Sequence, residues 1–392
     1  MIARHDKFIN DIDTSARRST PLALELQCRI ARTGPLLVSQ YMQACLRDPK
    51  YGYYIHNSTI GASGDFVTAP EISQVFGELI GIWCIVVWRH MGEPSELNLL
   101  ELGPGRGTLM SDVLRVINRN HKLQININLH LLEINYTLKQ RQKVLSNKTK
   151  SLTYHNDTKS ICSAALQTDM PWVVIGNEFL DVLSVHQVVA RKGVWYNRIV
   201  NCSLDSHLEF SIGDLAEPSQ HINMSAKNVP DGEILELAPE ISTMVLPMLK
   251  TLYQRSPVAA LFIDYGHEHT GFGDTLQAIR CHKYEYPLTS PGEADLTAHV
   301  DFAHTASVLM EAGLVPHLIQ TQAEFLGRLG IIERTSQLMS NNPDQAAELE
   351  AATMRLISPN GMGARFKTIA LSSPDLYPLP VFMPIPALHI RN

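Results

Sequence analysis

The sequence predicts an α/β fold: a largely parallel sheet covered by helices, preceded by a helical N-terminal layer and interrupted by insertions. Three observations predict it. From Leu97 onward, short apolar runs alternate with helical segments, the grammar of strands joined by crossover helices. Before Leu97, apolar residues recur at helical spacing. Around 184–212 the pattern turns to paired antiparallel strands. The 392-residue chain is 45% hydrophobic and 18% charged, a globular balance with enough core to need no disulfide or metal.

In chain order, residues 1–19 are polar and aperiodic and read as a loose arm or a poorly packed helix. Thr20-Pro21 opens a helix as cap and first turn, and Gly34-Pro35 closes it. A second helix fits Ser39 to Arg47, before Asp48-Pro49 and the aromatic turn Tyr51-Gly52-Tyr53-Tyr54. Pro70 starts an amphipathic helix whose Ile72, Val75, Phe76, Leu79, Ile80 and Trp83 fall on one face, and Gly92 ends it. Strands are expected at 97–101, 127–133, 152–155 and 172–176, with helices at 107–119, 135–146 and 159–167. Antiparallel strands follow at Val185 to Arg191, Val194 to Val200 and His207 to Ile212, then a polar, loop-like stretch at 213–232. A helix at 239–253 and a strand at 258–264 resume the α/β pattern. Strands at 274–280, 315–319 and 365–371, with helices at 301–312 and 343–356, are expected to complete the sheet. Four segments follow from this reading: a helical region at 1–95, a sheet core at 96–200, an antiparallel and loop insertion at 201–238, and the remainder of the sheet at 239–392.

Composition excludes several classes. A net charge of −6 and a pI near 6.2 leave no basic footprint for nucleic acid. Cys28, Cys45, Cys84, Cys162, Cys202 and Cys281 form no C-x-x-C and no zinc-ligand spacing, so they read as free thiols, and no metal is expected. No apolar run reaches the ~18 residues of a membrane span. Arg4, Arg17 and Arg18 hint at a transit peptide, but Asp6, Asp11 and Asp13 count against one. The expected home is a bacterial-type cytoplasm rather than the mitochondrial matrix.

The central motif is Leu99-Leu100-Glu101-Leu102-Gly103-Pro104-Gly105-Arg106-Gly107-Thr108. A buried strand ends, a glycine turn follows and a helix begins. Glycines let the backbone approach a ligand, and the free N–H groups of the helix start face whatever is bound. Dinucleotide binders use G-x-G-x-x-G. Here the spacing is G-x-G-x-G with an acid two residues before the first glycine, a form that resembles the first motif of class I S-adenosylmethionine methyltransferases. An NAD-dependent oxidoreductase fits the acid but lacks the last glycine spacing.

Further candidates lie at the other strand ends. Glu133 directly follows the apolar run His130-Leu131-Leu132, where an acid accepts hydrogen bonds from ribose hydroxyls; a solvated strand-end Glu is the plainer alternative. Asp157 after the third strand fits a contact near the adenine, or equally a helix cap. Asn177 and Glu178 leave the fourth strand at the position that faces the transferred methyl group in class I methyltransferases. There Glu178 fits an amine or guanidinium grip, or a structural ion pair. Asp65 and Glu71, in the loop Gly64-Asp65-Phe66 and the helix entrance Pro70-Glu71-Ile72-Ser73, fit either a substrate channel or local capping. Asp264-Tyr265-Gly266-His267 and the segment Pro291 to Asp301 add acids at further turns.

Taken together, these segments resemble the MidA family. The similarity runs through Asp48-Pro49, Tyr51-Gly52-Tyr53-Tyr54, Gly64-Asp65-Phe66, Pro70-Glu71-Ile72-Ser73, Glu101 to Thr108 and Gly176-Asn177-Glu178-Phe179-Leu180-Asp181. It continues through Ile263-Asp264-Tyr265-Gly266, Gly273 to Ala278, Pro291 to Phe302, Gly361-Met362-Gly363 and Phe366-Lys367, covering about 35–370. The resemblance implies a Rossmann-like class I methyltransferase sheet with family-specific insertions and S-adenosyl-L-methionine as cofactor. The cofactor would lie over Glu101, Gly103, Gly105 and Gly107, with Glu133 and Asp157 on its nucleoside. Glu178 and Asn177, aided by Asp65 or Glu71, would serve catalysis. For the mitochondrial members it implies a protein substrate, methylated on an arginine of a respiratory complex I subunit. The competing reading is a non-catalytic assembly factor that retains the pocket. Oligomeric state stays open, with a homodimer among the alternatives.

Overall fold

A computed structural model describes residues 12–56, 67–120, 123–216 and 225–382. Two compact units are interleaved along the chain: 1–66, 181–241 and 270–299 form one, and 67–180, 242–269 and 300–392 form the other.

The larger unit is built on a parallel sheet. Its strands are β1 (Glu96–Leu102), β2 (Asn126–Leu132), β3 (Ser151–His155), β4 (Trp172–Asn177), β5 (Val258–His267), β6 (Val315–Pro316) and β7 (Phe366–Ser372). They lie in the order β3-β2-β1-β4-β5-β7-β6. The five strands from β3 to β5 run parallel, and β7 and β6 are antiparallel additions. Strand order reverses between β1 and β4. Ligands bind at such a switch point, outside the carboxyl ends of the strands.

The central strands are buried on both faces, as their near-continuous apolar sequences require. Helix α1 (Gln74–His90) and helix α2 (Thr108–Arg119) pack on one face, and Val75, Phe76, Leu79, Trp83, Val113 and Leu114 join one core with Leu97, Leu99 and Leu129. The approach is close at Gly77, where a Cβ would stand 2.6 Å from Asp112 Cβ. Helices α3 (Tyr136–Gln142), α4 (Thr158–Ala165) and α5 (Leu246–Arg255) complete the crossovers.

The expected single helix from Pro70 is two pieces, Ala69–Ile72 and α1. Ser73 breaks it by turning extended, with its Oγ accepting from Val75 N. The run at 274–280 does not complete the central sheet. Gln277–Arg280 pairs instead with Lys283–Glu285 and Asp295–Thr297 in a three-stranded antiparallel sheet of the smaller unit. Two helices beyond the expected set, Gln322–Arg328 and Ile331–Asn341, flank Gly330, which sits at φ +86°.

The smaller unit holds helices Pro21–Thr33 and Val38–Arg47 and an antiparallel sheet in which Val194–Cys202 pairs with His186–Arg191 and Leu208–Leu215. Its core gathers Leu22, Leu26, Tyr41, Met42, Val200 and Leu296. Thr20 caps the first helix through Ala23 N, as the Thr-Pro pair predicts. The six cysteines carry no disulfide. Among the described residues, no helix is long and apolar enough to cross a membrane.

Candidate active site

The site is best built outward from the turn between β1 and α2. Gly103, Gly105 and Gly107 have φ of +67°, +53° and +78°. Three left-handed residues within five positions explain the spacing, because only glycine adopts that region without strain. Gly103 N–H donates to Leu132 O at 3.1 Å and Gly107 N–H to Pro104 O at 2.8 Å, which locks the turn onto β2 and onto itself. Gly103 is exposed and Gly105 half-buried, so main chain rather than side chain faces outward. Arg106 reaches from this turn to Glu71, its Nη1 3.7 Å from the carboxylate.

Two buried acids stand at adjacent strand tips. Glu101, the penultimate residue of β1, is 3% exposed, and its Oε2 has no hydrogen-bond partner among the described residues. Burial, and then the neighbouring Glu133, push its carboxyl up to about 8. Glu133 follows β2 and is itself buried. Its Oε1 accepts from Asn135 N at 2.8 Å and its Oε2 from Gln142 Nε2 at 3.1 Å. Burial raises the Glu133 carboxyl above its ordinary range, and the N–H donors of Asn135 and Gln142 pull it back only partly.

Beyond β4 the chain is strained. Glu178 sits at φ +51°, an uncommon conformation for a residue with a Cβ. It is held there: its N–H donates to Ile263 O at 2.9 Å, and its Oε1 accepts from Ala69 N and from Asn177 Nδ2, each at 3.1 Å. Fully buried Asp264 fixes the next residues, Oδ2 accepting from Phe179 N at 3.1 Å and Leu180 N at 2.9 Å. Such strain persists only where the surroundings over-determine it.

The fold thus brings Glu101, Gly103, Gly105, Gly107, Glu133, Asn177 and Glu178 to the carboxyl edge of the sheet around the β1–β4 switch. Glu71 joins through Arg106, and through its own helix, whose Ala69 N–H meets Glu178. Asp157 is different. It is exposed, and its Oδ1 caps α4 by accepting from Ser160 N at 2.8 Å. Asp65 lies outside the described residues.

Residues 79–320 match the sequence model of a family described as S-adenosyl-L-methionine-dependent methyltransferases. The chain belongs to that family. The mitochondrial protein arginine methyltransferase NDUFAF7 of Homo sapiens is 34% identical over 377 residues, 90% of this chain and 83% of the human one. Its Drosophila melanogaster homolog is 35% identical over 385 residues, 89% of this chain and 84% of that one. A crystal structure from Burkholderia thailandensis, bound to S-adenosyl-homocysteine, superposes with a TM-score of 0.75 at 24% identity, over 91% of this chain and 95% of that chain. The last comparison speaks to the fold alone and gives the same class I architecture.

This methyltransferase therefore uses S-adenosyl-L-methionine as its cofactor. One expectation from the sequence is overturned: these relatives from a mammal and an insect are mitochondrial proteins, which contradicts a bacterial-type cytoplasm. Sequence reasoning named Asp264 among the strand-end acids but not its hold on Phe179 and Leu180, and it passed over Gln142. Asp264 carried a legible signal, an acid closing a buried strand. Gln142 carried none, because its partners at Gly105 and Glu133 are set by how α3 packs, not by any local motif.

Proposed function

We propose that this methyltransferase modifies arginine side chains of a protein substrate, with a respiratory complex I subunit as the acceptor. Glu178 carries the reading. A carboxylate fixed by two N–H donors, on a strained residue at the tip of β4, is positioned to orient a guanidinium. A planar, bidentate partner suits a carboxylate better than any other cation. The names of the relatives, protein arginine methyltransferases, support the same choice.

The residues fit the cofactor. Orphaned acceptors at Glu101 Oε2 and Gln142 Oε1 suit a molecule that brings donors, namely ribose hydroxyls and an ammonium. The left-handed glycines leave no Cβ to block it. When bound, S-adenosyl-L-methionine supplies a methyl group on a positively charged sulfur. Gly103, Gly105 and Gly107 would seat its amino-acid portion and Glu133 the ribose, whereas Asp157, the sequence's candidate for the adenine end, is taken up by its helix cap. Glu178, steadied by Asn177, would align the guanidinium nitrogen for in-line displacement, a reaction that depends on positioning more than on strong acids. Glu71 would add negative charge that draws in a cationic side chain.

The test uses the purified protein, tritiated cofactor and a basic mitochondrial protein fraction from cells lacking the enzyme. Label should appear in methylarginine with wild type. Gly105→Val should weaken cofactor binding about 10- to 100-fold, since 1–3 kcal/mol of left-handed strain is at stake. Glu178→Gln should bind cofactor normally yet lose about 100-fold in transfer rate. Label in lysine or in no protein at all would overturn the arginine reading.

A further inference from the structure

Gln142 closes α3 and is 1% exposed. Its Nε2 donates to Gly105 O at 2.7 Å and to Glu133 Oε2 at 3.1 Å. A carboxamide nitrogen carries two hydrogens, so both bonds form at once. Both partners are pure acceptors. Flipping the amide would set its oxygen against them, so the orientation is determined by the contacts. That leaves Oε1 buried with no partner among the described residues. The side chain also packs on the turn from below: a Cβ at Gly107 would stand 3.3 Å from Gln142 Cγ.

We propose that Gln142 is a positioning residue for the cofactor, acting by tying the main chain of the glycine turn to the carboxylate that grips the ribose. This rests on the reading of Glu133 as that grip. The physical argument concerns the state of a buried acid. Glu133 can accept from two ribose hydroxyls only while it is ionised and correctly turned. Burial opposes ionisation, and N–H donors counter it, Asn135 N on one oxygen and Gln142 Nε2 on the other, ahead of Ile134 N and the Lys139 charge. Without Gln142 the acid loses one of those donors, and Gly105 O loses its side-chain anchor. The turn, already tied to β2 through Gly103 N–H, gains a side-chain link to the ribose grip, and the two become one rigid receptor.

The role predicts a ligand-specific effect that a merely structural side chain would not produce. The probes are S-adenosylhomocysteine and its 2′,3′-dideoxy analogue, titrated calorimetrically into wild type, Gln142→Leu, Gln142→Glu and Glu133→Gln. Gln142→Leu should weaken S-adenosylhomocysteine about 10-fold, the loss of one charge-assisted hydrogen bond. The analogue, lacking both hydroxyls, should lose less than about 3-fold. Gln142→Glu keeps the volume but faces two acceptors with a third; its deficit should shrink toward acid pH, where the added carboxyl gains a proton to donate. An equal penalty on both ligands, or a Gln142→Glu deficit that does not change with pH, would overturn the proposal. The underlying reading fails separately: if Glu133→Gln discriminates between the two ligands as well as wild type does, Glu133 does not hold the ribose, whatever Gln142 does. Should Gln142→Leu fail to fold, the isosteric Gln142→Glu carries the test alone.

Discussion

Glu78 and Glu101 are both almost wholly buried carboxylates of the same unit, 2% and 3% exposed, yet their surroundings have opposite character. Glu78, on α1, is answered on both oxygens: Arg115 Nη1 donates to Oε1, and Arg334 Nε lies 2.6 Å from Oε2. Arg115 in turn reaches Asp112 at 2.5 Å. Burial pushes the Glu78 carboxyl up, the two guanidinium groups more than offset it, and the acid ends below its ordinary range. Among the described residues Glu101 has no cation beside it, an orphaned oxygen and a second acid as neighbour, and its carboxyl is pushed up to about 8. The chain has the means to satisfy a buried acid and uses them where the acid ties helices together. At the sheet edge it leaves acceptors open, and open acceptors suit a ligand that brings donors. The contrast separates a structural carboxylate from the one proposed to meet the cofactor.

The comparison breaks most visibly at Glu78. Removing one member of a buried, hydrogen-bonded charge network strands the others, at a cost of about 3–5 kcal/mol. Glu78→Ala should therefore lower the denaturant midpoint by far more than any change at the sheet edge, and cofactor affinity measured on the folded fraction should hold. The sign of the pH dependence follows from the depressed acid. Its stabilisation is present above the ordinary carboxylate range and is lost as pH falls through its folded value, so Glu78→Gln should flatten the acid limb of the stability curve. A variant as stable as wild type would mean the cluster is solvated and the contrast with Glu101 is false.

Glu101 should behave in the opposite way. A folded value raised to about 8 against an unfolded one near 4.3 means the native state holds a proton the unfolded state has released. Its stabilising contribution is full at acid pH and declines as pH rises, by about 1.4 kcal/mol per unit between roughly pH 4.5 and 8. Glu101→Gln, which cannot ionise, should remove that slope and leave the protein at least as stable at neutral pH. Chemical denaturation across this pH range checks it. An unchanged slope would assign the titration to another group.

The same contrast explains what could be read from the sequence. The parallel sheet, the glycine turn and the acids at 101, 133 and 178 were legible because each is a local signal: a buried run followed directly by a breaker or a charge. The break at Ser73 was also local, a capping residue inside an apolar stripe, and the stripe hid it. Thr321 and Glu324 form a capping box in front of the helix Gln322–Arg328, a legible signal that the mixed composition of the segment obscured. Other features had no local signal. Which sheet Gln277–Arg280 joins depends on Asp295–Thr297, and the role of Gln142 depends on a turn 37 residues earlier in the chain. Pairings of that kind are decided by packing, and no periodicity or spacing encodes them.

Asp157 sharpens the comparison at its weakest point, because it is a strand-end acid like Glu133 but an exposed one. Its Oδ1 is occupied by Ser160 N, and that bond, ahead of a small opposing effect of burial, holds the carboxyl below its ordinary range. An exposed carboxylate keeps its water and is screened by salt, so any direct pull on a ligand is weak. The helix cap is the larger role: losing it costs about 1 kcal/mol. Asp157→Ala should therefore shift the denaturant midpoint modestly while S-adenosylhomocysteine binds within about 2-fold of wild type, a difference under roughly 0.5 kcal/mol. Asp157→Asn, which can still cap, should restore stability. If instead both variants bind about 10-fold more weakly, the acid reaches the adenine after all, and burial would no longer distinguish the strand tips that hold the cofactor from those that only begin a helix.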